Sequence, residues 1–104
     1  MAKISICCPI YNMKDARYFL ERNLTSIYIQ SFDDYEIVIS DDSYDDELKN
    51  WIQTIDLPIK YVKNLGNKGM ANNTNNAINN ATGSLIKMLY QDDLTGDIEL
   101  KTYL

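Results

Sequence analysis

Two pairs of neighbouring aspartates stand where apolar segments of this chain end: Asp41-Asp42 after Tyr35-Glu-Ile-Val-Ile-Ser40, and Asp92-Asp93 after Leu85-Ile-Lys-Met-Leu-Tyr90 and Gln91. A third apolar segment, Ile4 to Cys8, runs into Pro9-Ile-Tyr-Asn12, which adds an aromatic ring and an amide. Two carboxylates about 4 Å apart repel by roughly 4 kcal/mol at an effective dielectric near 20. Three arrangements relieve this: the side chains splay into water, one takes a proton, or a cation sits between them. A divalent ion held in this way would also offset a diphosphate, which a chain of net charge −5 without histidine cannot do with its own side chains. Taken singly, each feature has a plain reading. Asp-Asp after a strand is common loop chemistry, Asn12 suits a turn, Tyr11 suits packing at a strand end, and Asp45-Asp46-Glu47 suits a solvated helix start.

The elements that must position these residues follow from periodicity. Ile4 to Cys8 reads as a short buried strand stopped by Pro9. Asp15 can cap a helix running to about Gln30, with Leu20, Leu24, Ile27 and Tyr28 on one stripe. Tyr35 to Ser40 is β-branched and strand-like. A second helix is expected from Ser43 to Ile55, with an acidic first turn and an apolar face of Leu48, Trp51, Ile52 and Ile55. Ile59 to Val62 gives a third strand, and Asn64-Leu-Gly-Asn-Lys-Gly69 a loop. A third helix is expected over 70–81, with Met70, Thr74, Ala77, Ile78 and Ala81 on one face despite three Asn pairs that lower its intrinsic propensity. Gly83 would be its C-cap residue, Ser84 to Tyr90 the fourth strand, and Asp97 the cap of a short helix in the tail. Strands alternating with helices imply an α/β, Rossmann-like, three-layer α/β/α arrangement around a mostly parallel sheet of about four strands. At 104 residues the chain is expected to be a single domain, residues 1–104. Ligands of such sheets gather at the carboxyl ends of the strands, where all three polar segments fall.

Composition narrows the partners. No Lys/Arg cluster offers a basic face for nucleic acid. No apolar run approaches the roughly 20 residues of a membrane span, and no signal-peptide pattern opens the chain. Cys7 and Cys8 are strand neighbours pointing to opposite faces, so they are expected to be separate buried thiols in a reducing compartment, the cytoplasm. A phosphoacceptor receiver-like domain also alternates β and α at this length, but the first strand here lacks its acidic pair and no fifth strand with a Lys is visible.

The stretch "CCPIYNMKDARYFLERNLTSIYIQSFDDYEIVISDDSYDD" resembles the opening of family 2 glycosyltransferases, which have a GT-A fold and use a nucleotide-diphosphate sugar. Their pattern is a strand, Pro-x-Tyr-Asn, a helix, a Gln-(Ser/Thr)-Phe-x-Asp-(Tyr/Phe)-Glu segment (here Gln30 to Glu36) and a strand ending in Asp-Asp. The resemblance continues through "NLGNKGMANNTNNAINNATGSLIKMLYQDD" and so covers Ile4 to Asp93. It implies that Pro9 and Tyr11 line a nucleobase pocket, with Tyr11 stacking on the base and Asn12 in the same motif. Asp42 would accept a hydrogen bond from the base, Asp92 would contact the ribose, and Asp93 would hold Mn2+ or Mg2+ against the diphosphate. The implied function is binding of a nucleotide-diphosphate sugar, expected to be a UDP-sugar, for glycosyl transfer to an acceptor.

Departures from the family pattern are also visible. Gln91 replaces the first Asp of the commoner Asp-Asp-Asp form, and Thr74 stands where the family often has Arg, beside Asn75. Asp97 and Glu99 are the only carboxylates after Asp93, and neither sits in a family motif. The chain therefore reads as the nucleotide-sugar-binding half without the acceptor-binding half and its catalytic base. The alternative reading is a non-catalytic, truncated GT-A module with a binding or structural role. A sheet that stops at the fourth strand would leave apolar surface near Leu85 to Tyr90, to be covered by self-association, a partner chain or the tail.

Overall fold

The computed structural model describes residues 4–11, 17–23 and 34–90. Four parallel strands form one sheet in the order β3-β2-β1-β4: β1 (Ile4–Ile10), β2 (Tyr35–Asp41), β3 (Ile59–Lys63) and β4 (Leu85–Met88). All seven residues of β1 are buried, as expected of a central parallel strand covered on both faces. The period of two divides its side chains. Ile4, Ile6, Cys8 and Ile10 join Ile37 and Ile39 of β2 in the larger core, closed by Phe19 and Leu20 of the helical residues 17–23 (α1) and by Leu48 and Ile52 of α2 (Glu47–Ile52). Cys7 and Val38 face the other way, against Ala77 of α3 (Met70–Asn79). Two helices on one face and one on the other give the three-layer α/β/α arrangement, and the two thiols are free, buried and in different layers.

Several boundaries differ from expectation. β1 does not stop at Pro9 but continues to Ile10. The carbonyl of Cys7 faces β4, where it accepts the N–H of Leu89, so Pro9 has its missing donor on the same side. The last β1–β4 pair is Cys7 with Met88, and the ladder to β4 ends there, where the next donor would be the missing N–H of Pro9. Helix α2 starts at Glu47 rather than Ser43, because Ser43 is committed elsewhere: its N–H donates to Asp41 Oδ1 and its hydroxyl to the Tyr11 carbonyl. The helix ends at Ile52, where Thr54 turns its hydroxyl back onto the Trp51 carbonyl. On α3 the inward face is Asn73 and Ala77, while Met70 is exposed. The helix closes at Asn80, so Gly83 is not its cap. Gly83 is needed for close approach: a Cβ there would stand 2.6 Å from Ser5 Oγ and 2.8 Å from Ser5 N. The fourth strand is shorter than expected, and Leu85 and Ile86 on it are exposed. The expected tail helix lies outside the described residues.

Candidate functional site

The chain visits β1, β2 and β3 in one direction across the sheet, then returns to place β4 on the far side of β1. The carboxyl ends of the strands near such a reversal form a crevice. A cavity of about 460 Å³ lies there, lined by Ile10 and Tyr11 after β1, Asp42 and Tyr44 after β2, and Lys68, Gly69, Met70 and Asn73 at the start of α3.

Asp41 and Asp42 do not splay into water; both are buried. As strand neighbours they point to opposite faces, and each finds its own partners inside the protein. Asp41 Oδ1 accepts the Ser43 N–H at 2.8 Å, and Oδ2 accepts the Tyr61 hydroxyl at 2.5 Å with Lys63 Nζ at 3.5 Å. Lys63 is its direct cross-strand partner on β3. Burial, followed by the hydrogen bond to Asp41 and the Asp41 charge, pushes the Tyr61 phenol well above its ordinary range, so it stays a donor. Asp42 Oδ1 accepts the Asn64 side-chain amide and Oδ2 the Gly69 N–H, both at 2.8 Å, with Lys68 Nζ 4.0 Å from Oδ1. Gly69 can present its N–H there because its φ of 129° is open to glycine alone.

The two carboxylates therefore have different capacities. Asp41 is fully buried and is not among the residues lining this cavity; it holds the turn. Asp42 is 2% exposed, yet it forms part of the cavity wall. Each of its oxygens retains a second lone pair for an incoming N–H. Tyr11 lines the same cavity and is 57% exposed. Its main chain is tied to the β2 end through the Ser43 hydroxyl at 2.6 Å. The Asp42 N–H donates to the Ile10 carbonyl at 2.9 Å, which fixes the two strand ends against each other.

Asn73 sets the floor. Its Nδ2 donates to the carbonyls of Ile10 and Ser40, both at 3.1 Å, and its Oδ1 accepts the Ser40 hydroxyl at 2.6 Å. Asn76, one turn on, donates to the same hydroxyl at 2.8 Å and reaches the Lys63 carbonyl at 3.4 Å. The asparagine-rich helix thus staples the carboxyl ends of β1, β2 and β3.

Of the residues singled out from sequence, the cavity brings together Tyr11 and Asp42. Pro9 is buried in β1 and is not among the lining residues. Asn12, Asp92 and Asp93 lie outside the described residues. Thr74 and Asn75 do not line the cavity and Asn75 is exposed; the asparagine that reaches it is Asn73. Sequence reasoning missed Tyr44, Lys68, Gly69 and Asn73. The two-glycine loop was the one signal for Lys68 and Gly69, and Asn73 was hidden among near-identical neighbours.

Among the described residues, no group of three or more His, Cys, Asp or Glu could hold a metal ion. Asp41 and Asp42 point to opposite faces and have separate partners, so they do not form a ligand pair for one ion between them.

A parallel α/β sheet covered by helices on both faces, with a crevice at its strand ends, places the chain in the Rossmann-like α/β class. Residues 5–99 match Glycosyl transferase family 2, and the chain belongs to that family. It is 36% identical over 97 residues to the GalNAc(5)-diNAcBac-PP-undecaprenol beta-1,3-glucosyltransferase of Campylobacter jejuni, covering 89% of this chain and 30% of that protein. The fold matches TarS of S. aureus in complex with UDP-GlcNAc, with a TM-score of 0.74 and 27% identity over 97% of this chain and 30% of that one. It also matches the mannosyltransferase PcManGT of Pyrobaculum calidifontis in complex with GDP-Man and Mn2+, with a TM-score of 0.70 and 29% identity over 88% of this chain and 28% of that one. The chain thus spans about a third of the length of the relatives it matches. No helix among the described residues is long and apolar enough to cross a membrane.

Proposed function

We propose that the crevice binds the nucleotide of a nucleotide-diphosphate sugar, a UDP-sugar, and that the chain supplies donor binding for glycosyl transfer. Tyr11 stacks on the base, and Asp42 accepts an N–H from it. The observation that carries this reading is Asp42 itself. A carboxylate 2% exposed, oriented by Asn64, Gly69 and Lys68, still forms part of a cavity wall beside an exposed aromatic ring. A uracil or guanine ring presents the N–H that such an acceptor would read, and the solved neighbours hold UDP-GlcNAc and GDP-Man.

The charges of the described cavity wall, Asp42 and Lys68, cancel. A diphosphate therefore needs positive charge from elsewhere. Asp92 is assigned to the ribose and Asp93 to a divalent ion, Mn2+ or Mg2+. Such an ion supplies Lewis-acid stabilisation of a leaving diphosphate. The buried free thiols support a cytoplasmic setting, and the exposed Leu85 and Ile86 on β4 support a further protein contact at that edge, with a second copy or a partner chain.

Calorimetric titration of the chain with uridine and UDP, with and without Mn2+, tests the assignment. Without metal, uridine and UDP are expected to bind alike. With Mn2+ only UDP should gain affinity, and Asp93→Ala should remove that gain while leaving uridine binding in place. Absence of heat for UDP and GDP at millimolar concentration, with or without metal, would refute the reading.

A further inference from the structure

Tyr44 is the most exposed aromatic residue among those described, at 86%. Its side chain contributes little to the fold, yet its backbone is held on both flanks. On one side, the Ser43 N–H donates to Asp41 Oδ1 and its hydroxyl to the Tyr11 carbonyl. On the other, Lys63 Nζ donates to the Asp45 carbonyl at 2.7 Å. With the backbone already clamped, meeting a ligand would order only the side chain and not the loop.

The ring is also braced from the cavity side. Lys68 Nζ stands 5.0 Å from the Tyr44 ring centroid, within cation–π range. The same ammonium lies 3.5 Å from the carbonyls of Ser43 and Asn64 and 4.0 Å from Asp42 Oδ1. Lys68 therefore links the Tyr44 ring to the carboxylate assigned to the base. Tyr44 and Tyr11 line one cavity from the ends of two neighbouring strands, and Asp42 lines it with them.

We propose that Tyr44, braced by Lys68, is a second aromatic face for the nucleobase, acting together with Tyr11 at the two strand ends. The inference rests on the nucleotide reading of the crevice. It assigns to Tyr44 the same chemistry as Tyr11, stacking on a flat heterocycle, which every base offers and which no phosphate or sugar hydroxyl can replace. The phenol oxygen plays no part in it, so a phenyl ring should serve equally well.

The test measures affinities of the full chain for uridine and UDP by titration, with saturation transfer to the uracil H5 and H6 protons as a second readout. Tyr44→Ala is expected to weaken both ligands by a similar factor, from about fivefold to a hundredfold. It should also dim the H5 and H6 signals, while Tyr44→Phe retains wild-type affinity. The residue is at the surface, so both variants should keep the wild-type melting temperature. Unchanged binding in Tyr44→Ala, with binding lost in Tyr11→Ala, would overturn this inference and leave the nucleotide reading intact. A loss seen for UDP but not for uridine would place Tyr44 at the phosphates and also overturn it. Failure of the wild-type chain to bind either ligand would overturn both.

Discussion

Asn73 carries more of this structure than any other polar residue on α3, and replacing it tests how the crevice is built. In Asn73→Ala three buried hydrogen bonds disappear: two from Nδ2 to the Ile10 and Ser40 carbonyls, and one to Oδ1 from the Ser40 hydroxyl. At about 0.5–1.5 kcal/mol net for each, the loss is roughly 1.5–4.5 kcal/mol. The better helix propensity of alanine returns about 0.5 kcal/mol. A net destabilisation of about 2–3 kcal/mol is expected, or roughly 10–20 °C in melting temperature for a domain of this size. Asn73→Asp should do worse, because it turns an acceptor toward two carbonyls. Asn75→Ala is the control: that residue is exposed, so the same chemical change two positions along should be neutral or slightly stabilising. Urea denaturation of the three variants, with the slope checked for constancy, decides the matter. Asn73→Ala within 0.5 kcal/mol of Asn75→Ala, taken as an experimental margin of about the surface-substitution spread, would refute the stapling argument.

Gly83→Ala should cost about 1–3 kcal/mol in the same assay, since the added methyl would meet the backbone of Ile4 and Ser5, which cannot swing aside. Burial raises the Glu36 carboxyl, but the Ser5 hydroxyl, the Thr82 N–H and hydroxyl, and the Lys60 charge outweigh it and hold the group below its ordinary 4.5. A depressed carboxylate stabilises the fold above its unfolded value, and that contribution is lost as pH falls. Glu36→Gln should therefore flatten the stability profile below about pH 4.5, as followed by circular dichroism. Burial, followed by the Glu36 charge, pushes the Cys7 thiol up to about 11, and Cys8 is raised further by burial. Neither should react with a disulfide reagent at pH 8 until urea unfolds the chain. The raised Cys7 value also predicts stability present below pH 9 and lost progressively as pH climbs toward 11.

The parts of the fold that follow from hydrophobic period were legible in the sequence. Seven consecutive buried residues in β1, the β-branched run of β2 and the Leu48–Ile52 face of α2 leave little choice of element, and alternation of strand and helix leaves little choice of topology. What escaped were places where a polar side chain outbids the backbone pattern. Ser43 looks like a helix start, but it spends its N–H and hydroxyl on two other segments, and the helix begins four residues later. Asn73 looks like one more unfavourable residue on a weak helix, and its role depends on carbonyls 33 and 63 positions away. Tyr11 and Asp42 could be picked out as site residues because strand ends are where such sheets bind ligands. Tyr44 could not, since nothing local marks a tyrosine in a loop as facing a cavity, and for Lys68 the two-glycine loop around it was the one signal.

The adjacency of Asp41 and Asp42 follows from strand geometry more than from metal chemistry. A residue at the last position of a parallel strand still pairs across the sheet, so Asp41 meets Lys63 and Tyr61 on β3 and becomes part of the scaffold. The next residue emerges on the opposite face, over the loop before α3, and Asp42 meets Asn64, Gly69 and Lys68 there. Each charge is met by a lysine and neutral donors on its own side, so neither carboxylate needs the other's counterion. Asp41 also helps to fix the β1 end beside Asp42. Through the Ser43 N–H, Asp41 fixes the residue whose hydroxyl holds the Tyr11 carbonyl, and the Asp42 N–H holds the Ile10 carbonyl, so the main chains at the two strand ends are tied together. Under the proposed nucleotide reading, protein donors alone hold the buried carboxylate that would face the base, and positive charge would be needed only at the diphosphate end of the ligand.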